Sequence, residues 1–313
     1  MQPIHIFFFI LTTLFWGGSF LAIKIVIHDI SPGFAAFLRC TICLVFLIPY
    51  FIVKTKRDHS KGKSLKLPSK RILLSSFISG FFAMGLSWVC LFWGEQHVTP
   101  ALAAIINSSC PIFVTMLAFL ITPADKFTIY KWLGVLVGFL GVLVIFWPEL
   151  FNTNFSNYTY GLFAILTTTT SYAIAILWTR RLMHRIPTLM HMILQTAGAA
   201  FTLLIFSLIT KSFFITHPSF QAWLALFYLG LCSTTFAGLM FIKLIKEVGS
   251  VQASVITLCM PIIAIILDMV FLDAYLSLYQ VLGTTLILMA IIVINGEKKI
   301  RVLITKMGLK QKA

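Results

Sequence analysis

The chain has 313 residues, of which 59% are apolar and 11% charged. A soluble domain carries about a quarter charged residues, so the composition excludes a water-soluble globular protein and predicts an all-α integral membrane protein. The formal net charge is +15, and the placement of the basic residues assigns this excess to membrane topology rather than to nucleic acid.

Ten apolar runs, each near the roughly 20 residues that a helix needs to cross the hydrocarbon, follow in order. Span 1 (4–26) carries Trp16-Gly17-Gly18-Ser19 and Lys24. Span 2 (33–53) carries Arg39 and a Cys40-Thr41-Ile42-Cys43 spacing. Span 3 (72–95) carries Trp88, Trp93 and Glu95, and span 4 (99–121) Asn107 and Pro111. Span 5 covers 129–147. Span 6 (160–179) is polar from Thr167 to Ser171, just before Tyr172. Spans 7 (188–210) and 8 (220–243) precede span 9 (250–271), which holds Thr257, Pro261 and Asp268. Span 10 covers 277–295. Continuous apolar runs favour helices over the alternation of a membrane barrel. The first span is too long for a signal-peptide core and is expected to be retained.

Connections between the spans are short. The basic segment 54–71 reads as a mobile linker, and the polar residues 148–158 as a connector between halves. With the N-terminus in the cytoplasm, the 2–3 loop places Lys54, Lys56, Arg57, Lys61, Lys63, Lys66, Lys70 and Arg71 inside. The connections after spans 4, 6 and 8 add Lys126, Lys131, Arg180, Arg181, Arg185, Lys243 and Lys246, and the tail adds Lys298 to Lys312. Only Lys211 falls in an outside loop, while Lys24 and Arg39 lie within spans. This positive-inside pattern puts both termini in the cytoplasm, with the basic loops against anionic lipid head groups.

The two halves repeat. Val98, Ala103, Ile106, Pro111, Ile112 and Leu117 recur 150 positions later as Val248, Ala253, Ile256, Pro261, Ile262 and Leu267. Gly80 meets Gly230. After a one-residue slip, Gly134 and Ile145 meet Gly283 and Ile294, and Trp16 matches Tyr172. Five spans per unit is an odd number, so the second unit enters the membrane from the opposite side. The expected organisation is a five-helix repeat at 1–147, the connector 148–158, a second repeat at 159–296, and a basic cytoplasmic tail at 297–313. Inverted repeats of this kind build a transport site near the bilayer midplane.

Phe15-Trp16-Gly17-Gly18-Ser19-Phe20, Arg39 in span 2, Gly230-Leu-Cys-Ser-Thr-Thr234, and Val248-Gly249-Ser250 with Pro261 carry a family resemblance. On these residues the chain resembles the drug/metabolite transporter superfamily, EamA type, over nearly all ten spans. The resemblance implies a ten-helix secondary transporter and leaves the solute open, since the family includes exporters and uptake systems. Where that family often ends spans 4 and 9 with Gly-Glu, this chain has Thr122-Pro123 and Leu272-Asp273.

Charge within hydrocarbon costs at least about 2.5–3.5 kcal/mol on insertion scales, so it asks for a role. Lys24, Arg39, Glu95 and Asp268 fall toward the outer ends of their spans and are expected to form a gating or coupling cluster of ion pairs, with Arg39 facing Asp268. The alternative for Lys24 and Glu95 is snorkelling to the interface. Asn107 and Thr257 occupy matching positions one turn before the span prolines, whose rings free a carbonyl. With Trp16, Ser19, Trp88, Ser171 and Tyr172 they are the candidate solute-binding wall; helix–helix hydrogen bonding is the competing role. His97, His184, His191 and His217 lie near loops without paired metal-ligand spacing, and the Cys40–Cys43 pair matches the CxxC spacing but sits inside a predicted helix in lipid, so no cofactor or metal is expected. Gly62-Lys63-Ser64 lacks the preceding glycine and strand of a phosphate loop, so no ATPase element is read.

The function expected from these features is secondary export of a small organic metabolite, amino acids or their relatives, across a bacterial inner membrane. A proton or an exchanged solute would drive it. Uptake of a nucleotide-derived anion meeting Lys24 and Arg39 is a second reading. A membrane enzyme acting on lipids is a third, and it would require an interfacial cluster of carboxylates or histidines that the sequence lacks. The topology has a direct test. In a chain without its native cysteines, Ser60→Cys is expected to react with impermeant maleimide in inside-out vesicles and not in intact cells; reaction in intact cells would overturn the assigned orientation.

Overall fold

The computed structural model describes residues 3–61, 67–121, 129–150, 156–213, 218–254 and 256–306. Gly62-Lys63-Ser64, Thr122-Pro123, Lys126, His217 and residues 151–155 of the connector fall outside the described residues, as do the side chains of Lys131 and of the tail. All elements among the described residues are helices, as lipid demands of a chain that must satisfy its own backbone. They are α1 (Pro3–Asp29), α2 (Pro32–Ser60), α3 (Lys70–Gly80), α4 (Leu86–Gly94), α5 (Pro100–Asn107), α6 (Cys110–Ile121), α7 (Ile129–Leu150), α8 (Asn157–Leu182), α9 (Thr188–Ile209), α10 (Phe220–Phe227), α11 (Ala237–Val248), α12 (Ser250–Ser254), α13 (Ile256–Phe271) and α14 (Leu278–Lys306).

These helices make up the ten spans. Among the described residues, seven helical runs are long and apolar enough to cross a membrane, and three shorter apolar helices lie at Trp132–Pro148, Cys259–Phe271 and Leu278–Ala290. Starts follow local chemistry: Thr99 Oγ1, Ser156 Oγ and Ser219 Oγ accept the N–H groups of Leu102, Thr159 and Ala222, while Pro32 and Pro100 fill first-turn positions. Gly249, at φ 99°, makes the turn from α11 into α12 that a side chain would strain. Three boundaries differ most from expectation, one of them α11, which runs past 243 to Val248. Helix α2 continues to Ser60, so the start of the 54–71 linker is helical, and α14 runs past the expected span end at 295 to Lys306.

Spans 3 and 8 are not uniform helices. Phe81–Gly85 joins α3 to α4 as a π-helical segment, and Tyr228–Phe236 joins α10 to α11 in the same way. The widened turns leave carbonyls off the regular ladder. Thr234 Oγ1 donates to the Leu229 carbonyl at 2.7 Å and Thr235 Oγ1 to the Gly230 carbonyl at 2.8 Å. Such segments concentrate at functional sites, and both border the cavity described below.

The packing has the symmetry of the repeat. Helix α1 lies against α13 as α8 lies against α6; α2 lies against the second π segment as α9 lies against the first; and α7 pairs with α14. Glycines set the closest crossings. A Cβ on Gly141 would meet the Gly283 carbonyl, and one on Gly283 would meet the Gly141 carbonyl at 2.6 Å. Between α3 and α9, a Cβ on Gly80 would strike the Gln195 carbonyl and one on Gly198 the Phe77 carbonyl. Small residues let backbones approach where lipid supplies no hydrophobic drive between helices. The outer faces expose apolar side chains such as Val45, Leu136, Phe201, Leu224 and Leu282, as a lipid-facing surface requires. Gly198→Leu is expected to lower the melting temperature of the detergent-purified protein, with overpacking costing about 1–3 kcal/mol or more; an unchanged Tm would overturn this account of the α3–α9 crossing.

Candidate functional site

A cavity of about 890 Å³, counting the space at its mouth, opens among spans 1 to 4 and 6 to 9. Trp16, Ser19, Trp88, Asn107, Tyr172 and Thr257, expected from the sequence as its wall, all line it, and so does Arg39. Ser171 does not: it is buried one step round α8, where its hydroxyl donates to the Phe82 carbonyl at 2.7 Å and ties α8 to the first π segment.

Arg39 is the centre of the wall. It is 3% exposed, with Nε donating to Thr234 Oγ1 at 2.8 Å and Nη2 to Ser233 Oγ at 2.9 Å. Its guanidinium carbon lies 3.9 Å from the centroid of the Trp88 ring, a cation–π contact that desolvation strengthens. Trp88 Nε1 in turn donates to Tyr172 Oη at 2.9 Å. Stacking and fork geometry suit an arginine here better than a lysine. Arg39 Nη1 donates to none of the described residues, and Arg39 is the only charged side chain among those lining the cavity.

The other lining residues are held by their own bonds. Trp16 Nε1 donates to the Ser233 carbonyl at 2.8 Å, and the indole meets the Phe241 ring at 4.6 Å between centroids. Ser19 Oγ donates to the Trp16 carbonyl, Thr169 Oγ1 to Asn107 Oδ1 and Thr257 Oγ1 to the Ser254 carbonyl. Gly17 and Gly18 are packing positions, since a Cβ there would strike Ile263 and the Tyr228 hydroxyl. Asp273 is exposed, with φ 49°, and does not line the cavity.

The expected four-residue gate of ion pairs is corrected by the structure. No ion pair joins Lys24, Arg39, Glu95 and Asp268, and Arg39 belongs to the cavity instead. The other three gather beyond the cavity at the turn between α4 and α5. Lys24 Nζ donates to the carbonyls of Glu95 at 2.5 Å and Val98 at 3.2 Å. Asp268 Oδ2 accepts the Ala101 N–H at 2.7 Å. The physical reason is that helix ends carry partial charges: the ammonium sits at the carbonyl end of α4 and the carboxylate at the N–H end of α5. Both Glu95 carboxylate oxygens and Asp268 Oδ1 are buried with no hydrogen-bond partner among the described residues. One cation therefore shares this turn with two carboxylates.

Several lining residues were not anticipated. Gln195 is buried and donates to Ser79 Oγ and Thr179 Oγ1, each at 3.2 Å. His191, expected near a loop, does not line the cavity but is fully buried in the first turn of α9, bridging Ser76 Oγ at 2.6 Å and the lining Thr179 Oγ1 at 3.2 Å. Thr234 and Ser233 lie within the Gly230–Thr234 motif, yet only the π turn explains how they reach Arg39. An isolated Gln or His in an apolar run was the available signal for the others.

A helical bundle of two like halves around a central cavity, with apolar outer faces, defines a membrane transporter. The chain matches the model of the EamA-like transporter family over residues 3–147 and 159–296, and it belongs to that family. It is 27% identical over 88% of its length to the uncharacterized transporter YoaV of Bacillus subtilis, covering 91% of that protein. It is 25% identical to an uncharacterized transporter of Archaeoglobus fulgidus, over 92% of this chain and 97% of the other. With the uncharacterized inner membrane transporter YedA of Escherichia coli it shares 23% identity over 91% and 88%. A solved crystal structure superposes with a TM-score of 0.66 over 94% of this chain and 98% of its own, at 18% identity, which speaks for the fold alone.

Because Arg39 and Asp268 lie in separate clusters, Arg39→Gln and Asp268→Asn are expected to act additively on unfolding free energy, within about 0.3–0.5 kcal/mol. A larger coupling in a double-mutant cycle would restore the direct pairing.

Proposed function

We propose that this protein is a secondary transporter that exports a small carboxylate-bearing metabolite, an amino acid or a close relative, by alternating access across a bacterial inner membrane. The observation that carries the reading is Arg39: a buried guanidinium that lines the cavity with no carboxylate beside it. A charge taken out of water without a counter-charge is costly, and an anionic group on the solute would supply one in the fork geometry that arginine favours. Trp16, Trp88, Tyr172 and Phe241 give the apolar body of the solute an aromatic surface, while Asn107 offers a polar amide. The inner membrane rests on the name of the Escherichia coli relative, and export is the direction proposed. The cytoplasmic termini rest on the basic residues gathered at the ends of α2, α8 and α11.

Coupling to a proton is part of the same proposal. Lys24, Glu95 and Asp268 carry one positive and two potential negative charges at a closed, buried end. One bound proton makes the cluster neutral, and opening that end would let it exchange with solution. Membrane lipids and the solute are the partners this reading requires.

The test is transport by the purified protein in liposomes. Preloaded amino acid or 2-oxo acid is expected to drive counterflow of the labelled compound without nucleotide, with an internal pH dye reporting proton movement. Methyl esters, which lack the anion, are expected not to compete. Arg39→Gln should lower apparent affinity by about tenfold or more, the effect of losing a hydrogen bond to a charged group, and Asp268→Asn should leave counterflow while removing the pH signal. Competition by esters equal to that by the free acids would sink the carboxylate assignment, and an unaltered pH signal in Asp268→Asn would sink the proton assignment.

A further inference from the structure

The repeat alignment that matches Trp16 with Tyr172 also matches Lys24 with Arg180, the shift being the same along both helices. The 150-residue shift of the second pair of hairpins matches Glu95 with Ile245, Val98 with Val248 and Pro100 with Ser250. The structure supports this register away from those residues. Gly161 of α8 lies against His97 at the α4–α5 turn, and the matching residue of α1, His5, contacts Glu247 at the α11–α12 turn, with His5 Nε2 and Glu247 Oε2 2.7 Å apart. Each hairpin turn is thus flanked by the start of one helix and the end of another, at opposite ends of the molecule.

The two ends differ in how their basic residue is used. At one end, Lys24 is half-buried and reaches two main-chain carbonyls of the α4–α5 turn, those of Glu95 and Val98. At the other end, Arg180 is exposed and, among the described residues, makes one hydrogen bond, of 3.3 Å from Nη1 to Ser250 Oγ. The cavity is displaced toward that second end. Its lining reaches Thr179 and Ile245, immediately beside Arg180 and its matched carbonyl, but stops at Leu91 and Asn107 before the Lys24 cluster. An asymmetric use of symmetric residues is what one conformer of an inverted-repeat transporter must show.

We infer that Arg180 is the gating counterpart of Lys24: when the cavity turns to face the other side, Lys24 releases the Glu95 and Val98 carbonyls, and Arg180 moves from Ser250 onto the carbonyls of Ile245 and Val248. Each latch uses a cation against the carbonyl end of a helix, where the partial negative charge favours it. The partner atoms belong to the main chain, so the latch needs no matching acid at Ile245 or Val248. The carboxylate at the Lys24 end, Asp268, has Ala118 as its match, so the second latch lacks a carboxylate at that position and is expected to be the weaker. The inference rests on alternating access as proposed above.

The test uses the full-length protein in liposomes, with its native cysteines replaced and one reporter cysteine at a time. Val98→Cys reports opening at the Lys24 end and Ile242→Cys reports the cavity from the Arg180 end; neither change removes a latch carbonyl. Lys24→Gln is expected to raise alkylation of the Val98→Cys reporter by roughly tenfold, the effect of one hydrogen bond to a charged group, and to slow alkylation of the Ile242→Cys reporter. Arg180→Gln is expected to do the reverse, and Lys24→Arg and Arg180→Lys to restore wild-type rates. Arg180→Gln with both reporters unchanged, or both variants accelerating both reporters as general loosening would, overturns the latch. If the reporters in the otherwise unmodified protein never trade accessibility when leucine or its 2-oxo acid is added to either side, alternating access itself fails, a result distinct from the other two.

Discussion

A guanidinium held in the middle of a membrane protein without a carboxylate is the constraint from which the rest of the central structure follows. Arg39 needs donors' partners and a polarisable surface, and the fold provides both from distant parts of the chain. The π turn in span 8 brings Ser233 and Thr234 onto Nη2 and Nε. The tryptophan below the guanidinium is fixed by Tyr172 from the opposite repeat. Three helices and a π segment therefore meet around one cation, and the space left beside it is the cavity. The arrangement satisfies the protein's share of the hydrogen bonding and leaves the net charge for something else to balance.

The second organising feature is that symmetric sequence has been given asymmetric surroundings. Matched glycines, matched hairpins and matched basic residues recur in both halves, yet at one end Lys24 and Asp268 engage main-chain groups of the α4–α5 turn, while at the other His5 meets Glu247 and Arg180 makes one longer contact with Ser250. The helix pair α7 and α14 stands outside this division. Among the described residues it lines no part of the cavity, and it exposes much of its outer face, including Leu136, Leu140, Leu143, Leu282 and Met289. Its glycine contact, Gly141 against Gly283, joins the fifth span of each repeat to the other.

Much of this was legible in the sequence because lipid is an unforgiving solvent. Apolar run length fixed where helices had to be. Six of the seven residues expected at the solute wall line the cavity, since Trp, Tyr, Asn and Thr at matched positions in apolar helices have few other reasons to converge. Ser171 missed by one helical step, which on a helix is a rotation of about 100°. The charges were read less well. Periodicity says which side chains occupy an apolar span, and it does not say that a helix end will take the place of a counter-ion, as the carbonyls of Glu95 and Val98 do for Lys24. Nor does it announce a π turn, whose extra residue changes which face Ser233 and Thr234 present. His191 and Gln195 were opaque for the same reason: their partners, Ser76, Ser79 and Thr179, lie on two other helices.

The π segments carry a further consequence. A regular helix in hydrocarbon is stiff because every carbonyl is engaged four residues ahead, and bending it exposes groups that nothing nearby can satisfy. In span 8 the Leu229 and Gly230 carbonyls are engaged by threonine hydroxyls, which rotate about a single bond and follow the carbonyl as the backbone shifts. The carbonyls that the π turn displaces in span 8 are thus satisfied by two side chains. The segment that holds Arg39 is the same stretch in which span 8 leaves the regular helical ladder.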